Sequence, residues 1–337
     1  MATHCFFAAI LLFVTLQTTV AESVGVCYGR NGDDLPSEAQ AVNLYKQYGI
    51  SSMRVFDPVP AVLDALRGTQ IQVILCIPNP TLQSLTDPAA AERWVQTFVK
   101  NYYPDVKFKY VAVGNEVLPN TPTAQFADFV LPVMQNVYNS LAASGLQERI
   151  KVSTATFSAV LANTYPPSES VFRHDAAEFV VPIVQFLAAK NCPLLANIYP
   201  YFARVGDPAH VPLAFALFEN SAPNDAGYTN LFDAMLDGFY YAAAKVAAPN
   251  IDVVVSETGW PSSGGGDAAT TNNAQAYYRN MIRHVKNGTG TPLKPGKPME
   301  VYLFAMFDEN LKIGDETEKH FGLFFPNQQP KYQISFK

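Results

Sequence analysis

Val253-Val254-Val255-Ser256-Glu257-Thr258-Gly259-Trp260-Pro261 is the stretch from which the rest of the 337-residue chain can be read. Its three valines follow one another without the alternation of a half-exposed strand. A continuous β-branched run of this kind belongs to a parallel strand covered on both faces. The run gives way to Ser256, Glu257 and Thr258, and then Gly259 and Pro261 break the chain. The whole strand candidate is Ile251–Ser256, and seven others share its character: Val24–Tyr28, Ser52–Phe56, Ile71–Ile77, Tyr110–Gly114, Ile150–Thr154, Leu194–Tyr199 and Val301–Met306.

Helical patterns lie between them. Glu38 to Tyr48 carries Ala39, Val42, Tyr45 and Tyr48 at helical spacing, opens after Pro36-Ser37 and stops at Gly49. Val59–Leu66 ends before Gly68, and Ala124–Ala143 ends before Gly145 with a kink expected at Pro132. Leu231–Val246 and Ala274–Val285 complete the clearer cases. Eight β-then-α units predict an α/β fold, a single (β/α)8 TIM barrel, rather than an open doubly wound sheet. Gly25, Gly29 and Gly32 do not have the dinucleotide-binding spacing. No repeat, linker or low-complexity stretch divides the chain, and Gly264-Gly265-Gly266 falls just after the seventh strand, where a barrel keeps its functional loops.

Composition narrows the function. The chain is 49% hydrophobic and 15% charged, which is globular rather than disordered, and its net charge of -6 argues against a nucleic-acid partner. Before Glu22 there is no Asp, Glu, Lys or Arg; an apolar run from Phe6 to Leu16 leads to Thr18, Thr19, Val20 and Ala21. That pattern predicts a secretory signal peptide over 1–21 and a mature domain over 22–337, the run being too short for a membrane span. Cys5 would leave with the signal. Cys27, Cys76 and Cys192 are too few and too widely spaced for a disulfide scaffold, so buried free thiols are expected, with one disulfide left open. No His pair has ligand spacing, so no metal and no cofactor are expected. Nothing suggests an interface, and a monomer is expected.

Barrel chemistry gathers at the C-terminal ends of the strands. There the fourth strand ends in Val113-Gly114-Asn115-Glu116 and the seventh in Ser256-Glu257. A carboxylate placed directly after buried apolar residues is costly unless paired, hydrogen-bonded or protonated. Two of them, three units apart on an eight-unit ring, would project into one cleft from opposing walls. Two facing carboxyl groups fit glycoside hydrolysis, one protonated to donate to the departing oxygen and the other ionised to attack the anomeric carbon. Which does which is left open by these residues. A separation of about 5–5.5 Å would mean retention of configuration. Asn115 is placed to hydrogen-bond the sugar 2-hydroxyl. Tyr28, Tyr199, Tyr201, Phe202, Trp260 and Phe307 stand at or just beyond strand ends, where apolar sugar faces could stack on them. Tyr199 and Phe202 are the foremost candidates, because Pro200 breaks the strand between them. Asn287-Gly288-Thr289 is an acceptable N-glycosylation sequon; Asn79-Pro80-Thr81 is excluded by its proline.

Several motifs carry a resemblance. Val24-Gly25-Val26-Cys27-Tyr28-Gly29, Val113-Gly114-Asn115-Glu116, Ala196-Asn197-Ile198-Tyr199-Pro200-Tyr201-Phe202, Val255-Ser256-Glu257-Thr258-Gly259-Trp260-Pro261-Ser262 and Phe307-Asp308-Glu309-Asn310 leading to Phe321-Gly322-Leu323-Phe324 occur in one order. Together they resemble the plant β-1,3-glucanase family, glycoside hydrolase family 17, from Gly25 to Phe336. The resemblance implies a retaining endo-hydrolase of β-glucan such as callose or fungal wall glucan, with Glu116 as proton donor and Glu257 as nucleophile. It adds Glu309, Lys312 and Glu318 as cleft residues that tune this pair. It also implies a defence or wall-remodelling role in the apoplast or cell wall rather than the vacuole, since no extension follows Phe336. Glu22 stands where the family often has Gln, Asp308 where Asn is commoner, and Cys76 and Cys192 are additional. Two alternatives remain: a mixed-linkage β-1,3;1,4-glucan endohydrolase of the same family, and a non-catalytic glucan-binding lectin. The lectin is disfavoured because both Glu116 and Glu257 are present.

Overall fold

The apolar runs become the staves of one cylinder. In the computed structural model, which describes residues 23–337, the strands are β1 (Ser23–Tyr28), β2 (Ser52–Val55), β3 (Gln72–Ile77), β4 (Lys107–Asn115), β5 (Lys151–Phe157), β6 (Leu194–Asn197), β7 (Val253–Thr258) and β8 (Glu300–Leu303). Each pairs in parallel with the next, and β8 returns to β1 through Val24–Val301 and Val26–Leu303, so the sheet has no free edge. Every residue of β7 is buried, as are Val73 to Ile77 of β3, which is what continuous hydrophobic runs require when side chains fill the barrel on one face and meet helices on the other. The signal peptide expected over 1–21 lies outside the described residues.

The helices obey local signals. α1 (Glu38–Tyr48) starts with a reciprocal capping box between Ser37 and Gln40 and stops at Gly49, whose φ of 72° a side chain would disfavour. α2 (Pro60–Leu66), α4 (Ala127–Ala143), α6 (Leu231–Lys245) and α7 (Thr271–Lys286) occupy the expected positions, and α4 continues through Pro132. Two helices of eight residues or more were not anticipated from the sequence. α3 (Pro88–Val95) is capped by Asp87, and α5 (Ala177–Ala189) is apolar on most of its circumference with Pro182 inside it. The expectation of eight complete units needs correction at the last. Among the described residues no α-helix follows β8, only a 3-10 turn at Glu316–Lys319, because the chain beyond Leu303 forms loops at the mouth of the barrel.

Register shifts occur near the C-terminal ends of paired strands, between Ala112 and Asn115 on β4 and between Ala196 and Asn197 on β6, and such slips re-aim side chains at a barrel rim. A two-stranded hairpin of Leu161–Ala162 with Val171–Phe172 stands beyond β5 and packs on α6. Cys27, Cys76 and Cys192 are all buried free thiols, so the disulfide that their number allowed does not form. No helix among the described residues is long and apolar enough to cross a membrane.

Candidate active site

The strand ends open into one cleft of about 1870 Å³, whose lining includes Asn115, Glu116, Glu257, Glu309, Lys312 and Glu318. The six polar residues expected to gather there therefore share one cavity. It continues past these residues toward the hairpin, reaching Tyr165, Phe215 and Asn224, so it is a trench rather than a closed hole.

Glu257 is 6% exposed, and two donors account for both of its oxygens. Arg54 Nη1 lies 2.7 Å from Oε1, and the Tyr199 hydroxyl donates to Oε2 at 2.7 Å. Arg54 comes from β2 and is fully buried inside the barrel. Its guanidinium also donates to Asn197 Oδ1 at 3.0 Å, to the Ser256 carbonyl at 3.1 Å, to Asn115 Oδ1 at 2.7 Å and to Cys76 Sγ at 3.4 Å. A buried cation with this many partners is a fixture of the interior, held in one orientation. The sequence reading overlooked it, although one arginine within Ser52-Met53-Arg54-Val55-Phe56 is a charge inside a strand covered on both faces. Burial and the neighbouring Glu257 carboxylate push the Tyr199 hydroxyl well above the phenol range, so it stands as a donor to Glu257.

Glu116 follows Gly114 (φ 73°) and itself has φ 51°, a left-handed conformation uncommon for a residue with a side chain. Its backbone N–H still donates to the Ala155 carbonyl at 2.8 Å, which anchors the turn on β5. Asn197 Nδ2 donates to Glu116 Oε1 at 2.8 Å. Burial, and then the charge of Glu257, push the Glu116 carboxyl from 4.5 up to about 7. The two acids thus differ in environment: Glu257 has a guanidinium against it, whereas Glu116 has a neutral amide. Asn115 is held from both ends by Asn79, which accepts its backbone N–H at 2.8 Å and donates to its carbonyl at 2.9 Å. Its side-chain oxygen is taken by Arg54 and Asn197, while its amide nitrogen makes no hydrogen bond among the described residues.

A third acid closes the floor. Glu309 is 3% exposed, and its Oε1 accepts the Asn31 backbone N–H at 2.8 Å. Burial raises its pKa, and the Lys312 charge partly opposes that. The carboxylate comes so close to Gly29 that a Cβ there would fall on it. Lys312 Nζ is 3.2 Å from Glu318 Oε2 and 3.9 Å from the centre of the Phe304 ring. The neighbouring Asn310 bonds Asp33 in both directions, so the loop after β8 is stitched to the loop after β1. Among the described residues no three His, Cys, Asp or Glu side chains converge as a metal-holding group.

The aromatic expectations divide. Tyr28, Tyr199 and Phe202 line the cleft, Phe202 with 45% of its surface exposed. Tyr201, Trp260 and Phe307 are corrected: each is 2% exposed or less and none lines the cleft. Trp260 Nε1 donates to the Ala268 carbonyl at 2.8 Å, and Phe307 meets Tyr28 edge-on from behind the wall. These side chains turn into the packing around the mouth. The sequence reading missed Phe56, Phe304 and Phe321, which do face the cleft. Asn287 is exposed at the C-terminal end of α7, away from the strand C-termini that carry the site.

Known proteins share this architecture. A family model described as "Glycosyl hydrolases family 17" matches residues 24–336. A Nicotiana tabacum protein named "Glucan endo-1,3-beta-glucosidase, acidic isoform GI9" is 57% identical over 326 residues, covering 97% of this chain and 94% of that one. A Vitis vinifera protein named "Glucan endo-1,3-beta-glucosidase" is 55% identical, covering 98% and 97%. Among solved structures, CJP38, a β-1,3-glucanase and allergen of Cryptomeria japonica pollen, superposes with a TM-score of 0.91 at 43% identity over 94% of this chain and 99% of that one. A structure from a study of two plant β-glucan endohydrolases with distinct substrate specificities gives 0.87 at 44% identity, covering 93% and 100%.

Proposed function

Because the chain belongs to glycosyl hydrolases family 17, we propose that it is a retaining endo-hydrolase of internal β-1,3-glucosidic bonds in β-glucan. Glu116 donates its proton to the glycosidic oxygen while a Glu257 oxygen attacks the anomeric carbon. The carbon–oxygen bond breaks, its electron pair stays on the departing oxygen, and a glycosyl ester forms on Glu257. A water then attacks the same carbon, gives its proton to Glu116 and releases Glu257. The observation that carries this reading is the contrast between the two acids. One carboxyl is pushed up to about 7 by burial and a neighbouring charge, the other sits on a buried guanidinium, and both line one trench.

In this reading Asn115 meets the sugar 2-hydroxyl with its free amide nitrogen. Glu309, Lys312 and Glu318 hold the floor of the cleft, and Phe202 offers a face to a sugar ring. The linkage is supported by relatives named glucan endo-1,3-beta-glucosidase over nearly the whole chain. We further propose, from the apolar segment before Glu22, a chain secreted to the apoplast, where β-1,3-glucan of callose or fungal walls is the substrate in defence or wall remodelling, and a monomer. Mixed-linkage β-1,3;1,4-glucan is the second reading, supported by the similarity to plant endohydrolases whose specificities differ.

The test offers purified protein laminarin, mixed-linkage glucan and a cellulose derivative, with sizing of the products and Glu257→Gln as control. Short 1,3-linked oligosaccharides from laminarin support the first reading. Cleavage confined to mixed-linkage glucan supports the second; glucose alone would indicate an exo mode. Binding without cleavage would overturn both in favour of the lectin.

A further inference from the structure

Asn197 closes β6 and is 1% exposed. Its amide cannot turn over. Oδ1 accepts from Arg54 Nη1 at 3.0 Å and from Ser256 Oγ at 2.8 Å, and an arginine can only donate, so a flipped amide would set one N–H against another. The opposite end therefore faces β4 as a fixed donor. From it Nδ2 reaches Glu116 Oε1 at 2.8 Å and Asn115 Oδ1 at 3.2 Å. Arg54 Nη1, which holds Asn197 in this sense, is the same nitrogen that holds Glu257.

We propose that Asn197 is a positioning residue that fixes the transferable proton on Glu116 Oε2, and that it ties the geometry of the acid to that of the nucleophile through Arg54. The inference rests on the reading of Glu116 as the acid. In a protonated carboxyl the carbonyl oxygen is the better acceptor. A donor aimed permanently at Oε1 makes that oxygen the carbonyl and leaves the hydroxyl at Oε2. When the Oε2 proton passes to the glycosidic oxygen, the remaining negative charge spreads onto Oε1. The Asn197 hydrogen bond then strengthens as the reaction proceeds, so it favours the transition state over the ground state. Asn115, Arg54 and Ser256 satisfy the rest of the amide, and no rearrangement is needed.

The experiment compares two leaving groups. Laminarin needs a protonated departing oxygen, whereas a 2,4-dinitrophenyl β-laminaribioside releases an anion that needs no proton. The first turnover of the aryl substrate is read as a burst of dinitrophenolate, which isolates bond breaking from the later hydrolysis. Asn197→Ala is expected to lower kcat/KM on laminarin about 100-fold and the burst rate by less than about tenfold. Equal losses on the two substrates would overturn the proposal, because a merely structural role does not distinguish leaving groups. Asn197→Ser, which keeps a small polar side chain, is expected to show the same imbalance and serves if the alanine variant does not fold. The double variant Glu116→Ala/Asn197→Ala should cleave laminarin less than about tenfold more slowly than Glu116→Ala alone, the loss carried through Arg54; a further loss of about 100-fold would show that Asn197 does not act through Glu116. If Glu116→Ala itself fails to separate the two substrates, the assignment of the acid falls. If Glu116→Ala separates them and Asn197→Ala does not, only the role of Asn197 falls.

Discussion

Arg54 Nη1 stands 2.7 Å from Glu257 Oε1 inside the barrel, with both side chains buried. A surface pair at this distance would contribute little, since water screens it. Here both charges have left water, and each depends on the other: Arg54 otherwise has the side-chain oxygens of Asn115 and Asn197, and Glu257 has the Tyr199 hydroxyl. Removing one partner strands the other, at a cost of about 3–5 kcal/mol.

The first prediction comes from that asymmetry. Arg54→Met should lower stability by about 3–5 kcal/mol and abolish glucan hydrolysis. Arg54→Lys keeps the charge but cannot serve Glu257, Asn197, Asn115 and Cys76 from a single ammonium. Its kcat/KM should fall by about two orders of magnitude, the cost of misplacing a reacting group by about 1 Å. Thermal unfolding and laminarin kinetics on both variants check this. A lysine variant with native turnover would show that charge alone is needed.

The second concerns pH. With the Glu116 carboxyl raised from 4.5 to about 7, the folded state holds a proton that the unfolded chain has released across that interval. Stability therefore falls as pH rises from 4.5 to about 7 and stays lowered above it. Glu116→Gln has no such proton, so it should gain in Tm over the native protein at pH 8 and show little gain at pH 4. The same group sets the alkaline limb of activity. kcat/KM on laminarin should decline above about pH 7, and Glu116→Gln should lose about 10²–10⁴ of the rate. Tm curves for the two proteins that stay parallel between pH 4 and 8 would contradict the raised carboxyl.

How much of this was legible in the sequence depends on what each residue had to reveal. The eight strands declared themselves because parallel strands buried on both faces need unbroken apolar runs, and Val253-Val254-Val255 or Val73-Ile74-Leu75 can be little else. Glu116 and Glu257 were legible because a carboxylate directly after such a run must have a reason. α5 was not, since Ala177–Ala189 is apolar nearly all round and holds Pro182, which blurs helical periodicity. Trp260 and Phe307 show a different limit. Their positions near strand ends are correct, but linear order does not say whether a ring turns into the trench or behind its wall. Arg54 is legible on the same ground, a charge inside a strand covered on both faces, but it lies in mid-strand and not at the strand end where barrel chemistry gathers.

Gly29 provides a third prediction. The glycine has no space for a Cβ because the Glu309 carboxylate already occupies it. Gly29→Ala should displace Glu309 from the Asn31 backbone N–H and loosen the floor of the cleft on which Lys312 and Glu318 sit. We expect kcat/KM on laminarin to fall by about tenfold or more, the scale of a misplacement near 1 Å. Pairing the change with Glu309→Ala should remove most of its additional effect, since the clash then has no partner. A Gly29→Ala protein that is as impaired with Glu309 absent as with it present would show that backbone strain, not the carboxylate, is responsible.

At the opposite end of the barrel the same kind of side chain serves a different purpose. Glu300, the first residue of β8, accepts from Lys109 Nζ at 2.8 Å, from the Tyr110 hydroxyl at 2.8 Å and from the Tyr302 hydroxyl at 2.9 Å. Burial, and then the Glu300 charge, push the Tyr110 hydroxyl above the phenol range, so it remains a donor to Glu300. This is a carboxylate with a reason of its own, yet it lies at the strand N-termini, the face of a barrel that carries stability rather than chemistry. Glu300→Gln keeps the shape and removes the charge, weakening three charge-assisted bonds that are each worth about 1.5–3 kcal/mol when made to an ion. The variant should lose about 2–3 kcal/mol of stability, because glutamine retains part of each bond. Laminarin turnover at a temperature where both proteins are folded should be within about twofold of native, since neither Glu300 nor any of its three partners lines the trench. Denaturant unfolding and steady-state kinetics on one preparation decide the matter. Lost turnover with unchanged stability would mean that the base of the barrel is coupled to its mouth, and the division of labour between the two ends would not hold for this chain.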